Sequence, residues 1–586
     1  MHHRDALEAV QTEFRGIAGV SAIVYEQTCA AEKRRRRKRG QLADPDRRVF
    51  IHEKVCEGCG DCSIQSNCIS IEPKETPFGR KRAINQSACN KDFSCVKGFC
   101  PSFVELEGVT LKKPDASALD KLLGELGRDL PQPDLPIHAG AFNIYITGIG
   151  GSGVLTSGSL LGSAAHFDGK RASVLDFTGL AQKNGAVISQ VRVASASDAI
   201  HASRVDPASV DLLLGADTVV SASADALLRL SAGRTATVLN TDETPTADFV
   251  ANRDAEVPSA TLLERVRERT RAGAFHALGF GGLCRAIFGD TVASHTFMLG
   301  YAWQKGLVPV SAAALIEAIE RNGAAVAMNK SAFQWGRVAA DRLERLESAL
   351  GLRAAPAAST EPLDALLARL RNELTAYQHS AHAARFGAVV AQVQRAEAAV
   401  HPGAEQLTRI VARAVFRAMA YKDEYEVARL YAAPEFRASL AAEFDRSRKV
   451  SVWLSPPLLA RKDPATGRPK KMKFGPWIFP VMKGLAALRL LRGTPLDVFG
   501  YTAERRAERH HAQTFESDIL QLLETPAERT LAQVQALARA ANEVRGFGPV
   551  KEVALRRYAA ARERILAGDG QAMAMRPSPI HFMKSV

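Results

Sequence analysis

The chain has 586 residues, 46% hydrophobic, 24% charged and 6% aromatic, an ordinary globular composition on a chain too long for a single hydrophobic core. Its 77 Lys and Arg against 63 Asp and Glu leave a net charge of +14, which suits anionic cofactors, acidic protein partners or nucleic acid. MHHRDALEAV has no apolar core of the kind a signal peptide needs, and no uncharged apolar run reaches the ~18 residues of a membrane span, so a cytoplasmic location without a membrane partner is expected.

Residues 1–44 carry a short helical pattern from Ala6 to Ile17, an apolar stretch SAIVYEQ that reads as a strand, and the basic run KRRRRKR at 33–39. That run reads as a solvated tail or linker, so nucleic acid is not expected as a partner. One helix and one strand cannot bury a core, so this segment looks like the end of a domain. Residues 45–115 hold seven of the nine cysteines. Residues 116–136 read as a short helix and the proline-rich linker PQPDLP. Across 137–350, short apolar runs at 142–147, 172–176, 187–193, 211–215 and 236–240 alternate with helical stretches, the grammar of a mostly parallel, helix-covered sheet. From 351 to 586 the pattern turns helical. Leu363, Leu366, Leu367, Leu370 and Leu374 recur at helical spacing, and further helical stretches cover 404–432 and 525–566. An irregular basic segment, 455–477, interrupts them. The expected class is therefore multidomain α/β and α+β.

Clustered cysteines without a secretory signal point to a reducing compartment and metal binding, not disulfides. Cys56-x2-Cys59-x2-Cys62 is the spacing by which one loop wraps three corners of a cubane iron–sulfur cluster, and the fourth ligand then comes from a distant Cys-Pro, here Cys100-Pro101. A zinc site is the competing reading, but zinc more often takes two CxxC pairs. Cys68, Cys89 and Cys95 remain. In a two-cluster arrangement they hold a second cluster, and Asp92 stands where a CxxCxxC run has its middle cysteine. Two outcomes follow: Asp92 ligates the fourth iron of a [4Fe–4S] cluster, or the cluster is [3Fe–4S]. The x5 and x4 gaps before Cys68 and Cys100 depart from the usual x3, so merely buried thiols remain an alternative.

FNIYIT runs into Gly148-Ile-Gly150-Gly151-Ser-Gly153 and then a helical stretch. This is G-x-G-x-x-G between strand and helix, where glycines let backbone N–H groups approach a phosphate. Asp176, ending the next strand, stands where a ribose-binding acid belongs. Alone, this pattern allows either dinucleotide binding or a glycine turn needed for close packing.

Together these residues resemble the fused bacterial indolepyruvate ferredoxin oxidoreductases of the 2-oxoacid:ferredoxin oxidoreductase family. VCEGCGDCSIQSNC and SACNKDFSCVKGFCP resemble the ferredoxin segment. GIGGSGVLT, LAQKNGAVISQVRV and NGAAVAMNKSAFQWGR are similar to the gamma domain. YKDEYEVARLY, KKMKFGPW and LRGTPLDVFGYTAERR resemble the C-terminal domain, and TCAAEKRRRRKRG the tail of the thiamine-diphosphate domain. The resemblance implies four parts: a remnant of that domain at 1–44, a ferredoxin-like iron–sulfur module at 45–115, a doubly wound, Rossmann-like gamma domain at 137–350, and a mainly helical domain at 351–586. It implies oxidative decarboxylation of an aryl 2-oxo acid, acyl transfer to CoA and reduction of an external ferredoxin, in an oligomer. It also turns the glycine loop, with Gln182, Lys183 and Asn184, toward an active-site crevice and a CoA-type anion instead of NAD.

Family members hold thiamine diphosphate and Mg²⁺ with a GDG and a following NN. The one GDG here, at 568–570, is followed by no Asn and reads as a C-terminal turn. The thiamine site is thus expected from a partner subunit or a missing N-terminal half. Arg461, Lys462, Arg468, Lys470, Lys471 and Lys473 form a basic loop suited to an acidic ferredoxin or CoA phosphates, or simply to solvent. Cys29 and Cys284 are isolated and read as structural. The alternative reading is a standalone NAD-linked iron–sulfur reductase using Gly148–Gly153 and Asp176.

Overall fold

The computed structural model describes residues 1–137, 140–179, 185–195, 200–244, 249–250, 252–352, 361–456 and 469–569. Two compact units are present: Met1–Pro45 with Asn90–Asp92, and Asp46–Cys89 with Phe93–Val586.

In the first unit, helix Leu7–Arg15 buries none of its side chains, and helix Ala30–Lys38 carries most of the basic run. Glu32 pairs with Arg36 at 3.2 Å and Arg35 at 3.4 Å, one helical turn away. The expected strand at SAIVYEQ does not form. A strand exists only where a neighbour accepts its ladder hydrogen bonds, and this unit supplies none among its described residues. Cys29, expected to be structural, is exposed ahead of the second helix.

In the second unit, the cysteine module folds as β1 (Arg47–Ile51), the hairpin β2 (Ile71–Lys74) and β3 (Lys81–Ile84), and β4 (Phe103–Glu107). Helix Ala116–Leu126 follows, capped by Asp115, whose carboxylate accepts from the Ser117 and Ala118 amides.

Next come β5 (Ala141–Ile149), β6 (Arg171–Thr178), β7 (Ala186–Ala194), β8 (Leu212–Gly215), β9 (Ala236–Asn240) and β10 (Phe275–Leu278). They form one sheet in the order β10-β9-β8-β5-β7-β6. β10, β9, β8 and β5 are parallel, while β7 runs antiparallel to both β5 and β6. Strand side chains alternate between faces, so each face gains its own core. Ile144, Ile146, Leu212, Leu214 and Val238 pack with helices Val154–Phe167 and Ser294–Gln304. Tyr145, Leu213 and Leu239 join Ala226 and Val266 on the other face. That double burial is why these strands read as unbroken apolar runs.

The C-terminal region packs helices Leu363–Tyr377, Ser380–Val400, Gln406–Met419, Ala503–Leu522, Glu528–Asn542 and Pro549–Leu566 around one core, with the five leucines of the first helix inside. It also supplies two strands, β11 (Lys449–Leu454) and β12 (Met472–Phe474). These extend the cysteine module into a four-stranded sheet, β1-β4-β11-β12, all antiparallel. The segment 455–477, expected to be irregular, is therefore a strand over Met472–Phe474; residues 457–468 lie outside the described ones. The module at 45–115 does not close its own sheet. Val104 and Leu106 on β4 are covered by Val452, Phe436 and Phe444 from the C-terminal region.

Candidate metal centre and glycine loop

The first cysteine loop leaves β1 and turns twice through left-handed glycines, Gly58 (φ 66°) and Gly60 (φ 80°), a conformation side chains resist. The turns bring Cys56, Cys59 and Cys62 to one side, and helix Asp61–Ser66 begins at the third. Buried Asp61 ties this loop to the distant ligand by accepting from the Phe99 amide at 2.6 Å. Gly98 lies so close to the Cys62 backbone that a Cβ there would fall 2.9 Å from its Cα. The four predicted ligands Cys56, Cys59, Cys62 and Cys100 consequently line one small pocket, with Arg82 and Ser102 beside them.

Burial pushes the Cys59 and Cys62 thiols far up, and Cys100, Cys59 and Cys56 push in the same direction by mutual repulsion. Burial takes Cys100 to about 11, with Lys471 opposing. Thiolates so costly in the protein alone are stable when a cationic iron–sulfur core shares their charge. The residues fit such a group. Four thiols converge, the Gly58 amide donates to Cys56 Sγ at 3.3 Å, and cations stand near. Among the described residues no three His, Cys, Asp or Glu side chains are grouped to hold a single ion; a cubane needs one thiolate per iron, at separate corners.

Cys68, Cys89 and Cys95 pack against the same apolar cluster as Cys56 and Cys62, with Phe93, Val96 and Trp453. Burial raises Cys95 to about 12, with Cys89 and Cys68 next in the same direction. Asp92 belongs to the first unit, where it stands 3.8 Å from Arg4.

Three basic residues near the centre escaped the sequence reading. Lys422 donates to the Val55 and Cys56 carbonyls at 3.3 Å and pairs with Glu57 at 2.7 Å. Burial pushes the Glu57 carboxyl up, but Lys422, Lys551, Lys81 and Arg417 together outweigh it and hold it low. Burial takes Lys81 down to about 7, with Lys422 adding to it. Buried Arg82 gives Nη2 to the Arg253 carbonyl at 2.8 Å. Two described lysines of the basic segment fit neither the docking loop nor the solvated loop read from the sequence. Lys471 turns inward to the Gly98 carbonyl at 2.5 Å and the Cys100 carbonyl at 3.4 Å, and Lys473 pairs with Glu105 at 2.7 Å. Arg461, Lys462 and Arg468 lie outside the described residues. Beyond Cys100 opens a cavity of about 430 Å³, walled by Val427, Ile478, Met482, Phe499 and Phe547.

The glycine loop follows β5, which runs on through Gly148 to Ile149. A Cβ at Gly148 would meet Val154 at 2.8 Å and Ala216 at 3.1 Å, so this glycine serves strand–helix packing. Gly151 (φ 95°) faces open space and Gly153 (φ 83°) starts helix Val154–Phe167 against the His295 ring. The Gly150 amide is spent on the Gly185 carbonyl at 3.0 Å. His295 Nδ1 meets the Val292 carbonyl at 3.0 Å, and burial lowers its pKa. Gln182, Lys183 and Asn184 lie outside the described residues.

Asp176 does not end its strand and does not approach this loop. β6 continues to Thr178, Asp176 is exposed, and its register partner is Ser189 of β7. β7 lies between β6 and β5, so Asp176 is two strand spacings, roughly 10 Å, from the strand that carries the glycines. The inserted antiparallel strand breaks the arrangement that puts a ribose-binding acid beside a dinucleotide loop, and the NAD reading is not favoured. The GDG at 568–570 begins as the expected turn: Gly568 (φ 79°) follows helix Pro549–Leu566, and Asp569 pairs with Arg564 at 2.6 Å.

Two family models match the chain. Residues 143–339 match pyruvate ferredoxin/flavodoxin oxidoreductase, and residues 363–564 match a family of unknown function. An indolepyruvate oxidoreductase subunit IorB from Pyrococcus horikoshii is 29% identical over 209 residues, 35% of this chain and 98% of the relative. The IorB of Thermococcus kodakarensis is 26% identical over 205 residues, 34% of this chain and 97% of the relative. Among solved structures, the gamma subunit of a keto/oxoacid ferredoxin oxidoreductase from Geobacter sulfurreducens aligns at 21% identity and a TM-score of 0.24, covering 34% of this chain and 98% of that one. Over about a third of its length, then, the chain is similar to the pyruvate ferredoxin/flavodoxin oxidoreductase family, and the relatives it aligns with there over most of their own length are indolepyruvate oxidoreductase subunits.

Proposed function

We propose that this chain is the electron-transfer and gamma-type component of an aryl 2-oxo acid:ferredoxin oxidoreductase, acting on indolepyruvate or a close analogue. One observation carries the reading: Cys56, Cys59 and Cys62 of one loop and the distant Cys100 line a single pocket in the same compact unit as the oxidoreductase domain. Those four thiolates would hold a [4Fe–4S] cluster, and Cys68, Cys89 and Cys95 a second cluster. Bound there, such groups supply one-electron storage. The chain's own residues surround the thiols with apolar side chains, donate the Gly58 amide to Cys56, and place Lys471 beside Cys100. The thiamine diphosphate and Mg²⁺ that decarboxylation requires would come from a partner subunit, since Gly568 and Asp569 of the GDG here form a helix-end turn. CoA would be the acyl acceptor and an external ferredoxin the electron acceptor.

The test combines the full chain, its clusters reconstituted anaerobically, with a thiamine-diphosphate-binding partner subunit. Addition of an aryl 2-oxo acid and CoA should bleach the visible cluster absorbance, and NADH alone should not. Reduction by NADH with no dependence on partner or oxo acid would contradict the reading and restore the NAD-linked alternative.

A further inference from the structure

Arg82 lies on β3, where neither its position nor its neighbours in sequence mark it as functional. It is 1% exposed, and it lines the same pocket as Cys56, Cys59, Cys62 and Cys100. Its contacts use part of the guanidinium only. Nη2 donates to the Arg253 carbonyl at 2.8 Å, Nη1 reaches the Lys81 carbonyl at 3.4 Å, and the carbon of the group sits 4.3 Å from the Phe249 ring centre. Nε is buried with no acceptor among the described residues. No carboxylate is paired with it there. Asp254 is close enough to act on it, but Asp254 is held by Arg545 at 2.7 Å and Arg253 at 3.3 Å. A guanidinium taken wholly out of water needs an anion, and a buried N–H needs an acceptor.

The three other cations near the thiols differ from it. Lys422 already has Glu57 as counter-ion at 2.7 Å, Lys471 gives donors to the Gly98 and Cys100 carbonyls, and Lys81 does not line the pocket. Arg82 alone of the four lines the four-thiol pocket, and it has a donor left over.

We propose that Arg82 is the built-in counter-ion of the Cys56/Cys59/Cys62/Cys100 cluster: Nε–H donates to one of its sulfurs, and the fixed positive charge raises its reduction potential. The inference rests on the reading that these four cysteines hold an iron–sulfur cluster. Hydrogen bonds to sulfur and nearby charge are the levers by which a protein sets such a potential. Arg82 is a positioning residue here and carries no electron itself.

The test uses the reconstituted full chain with ¹⁵N-labelled arginine. In the reduced wild type, pulsed EPR should show a ¹⁵N coupling to the cluster, and R82K should lack it. In a redox titration, R82Q with unchanged iron and sulfide should show the ratio of reduced to oxidised cluster falling about tenfold at fixed poise, a downward shift of about 59 mV for one electron. R82K, which keeps the charge, should recover most of that shift. Absence of a ¹⁵N coupling in the wild type, or an R82Q potential equal to wild type, would overturn the proposal while leaving the cluster assignment intact. A wild-type chain that takes up no iron and sulfide would overturn the cluster assignment and this role with it.

Discussion

At the scale of single residues, the energetically exposed points are buried charges with few partners. Arg492 forms a two-pronged pair with Asp423 at 2.6 and 2.8 Å, donates to the Tyr377 carbonyl at 2.7 Å, and stacks 3.7 Å from the Tyr377 ring centre. Both members of the pair are at most 4% exposed. Arg492→Met would leave the buried Asp423 carboxylate without its cation, holding the Glu426 amide at 2.8 Å, and equilibrium denaturation should register a loss of about 3–5 kcal/mol. Histidines set the acid limit. Burial takes His52 and His511 from 6.5 down to about 4. Their folded-state values lie below the unfolded ones, so above pH 6.5 neither penalises folding. As pH falls from 6.5 towards 4 the unfolded chain binds protons that the folded chain refuses, and stability should drop by up to about 1.4 kcal/mol per pH unit for each site. His511 packs edge-on to Tyr558 at 4.4 Å and stacks with Phe515, so His511→Phe keeps the aromatic packing. Denaturation midpoints measured across this range should show that variant losing one proton's worth of acid sensitivity; an unchanged slope would remove His511 from the account.

At the scale of elements, the dependence of the cysteine module on distant strands is the main structural result. β4 is flanked by β1 on one side and β11 on the other, and Val104 and Leu106 are buried by residues more than 300 positions later in the chain. A fragment spanning 46–115 should therefore expose that apolar face and fail to unfold cooperatively. Thermal scans of the fragment should show no transition, whereas a sharp transition would make the module autonomous. The same geometry explains what could be read from sequence. The convergence of Cys56, Cys59 and Cys62 was legible because residues on one loop obey a local spacing, and the Leu363–Leu374 repeat because a helix writes its own period. β12 was not legible: three residues, Met472–Phe474, carry no period, and their extended shape comes from pairing with β11. β7 was legible as a strand but its direction was not, because an apolar run is the same read either way. Misplacing Asp176 followed from that. Arg82 and the inward turn of Lys471 were illegible for a further reason: their partners, Arg253 and Gly98, are set by tertiary packing alone.

At the scale of the whole molecule, the larger compact unit joins three segments through a basic and acidic junction beside the four-thiol pocket. Arg80 and Arg82 of the cysteine module bond the Ala255 and Arg253 carbonyls of the oxidoreductase domain, and Arg253 and Asp254 in turn pair with Glu543 and Arg545 of the C-terminal region. The resemblance did not foretell that the region of unknown function would complete the sheet and wall the cavity beside Cys100. Arg545→Ala removes one strut of this junction, and limited proteolysis should then cut between the oxidoreductase domain and the C-terminal helices faster than in wild type. No helix among the described residues is long and apolar enough to cross a membrane.

All of this converges on what the four thiols hold, and iron and acid-labile sulfide content with a Mössbauer spectrum of the anaerobically purified full chain tests that most directly. The account predicts at least about four iron and four sulfide per chain, with a spectral component of iron in an all-sulfur tetrahedral site that disappears in Cys59→Ala. Stoichiometric zinc without sulfide, or a cluster signal untouched by Cys59→Ala, would contradict it.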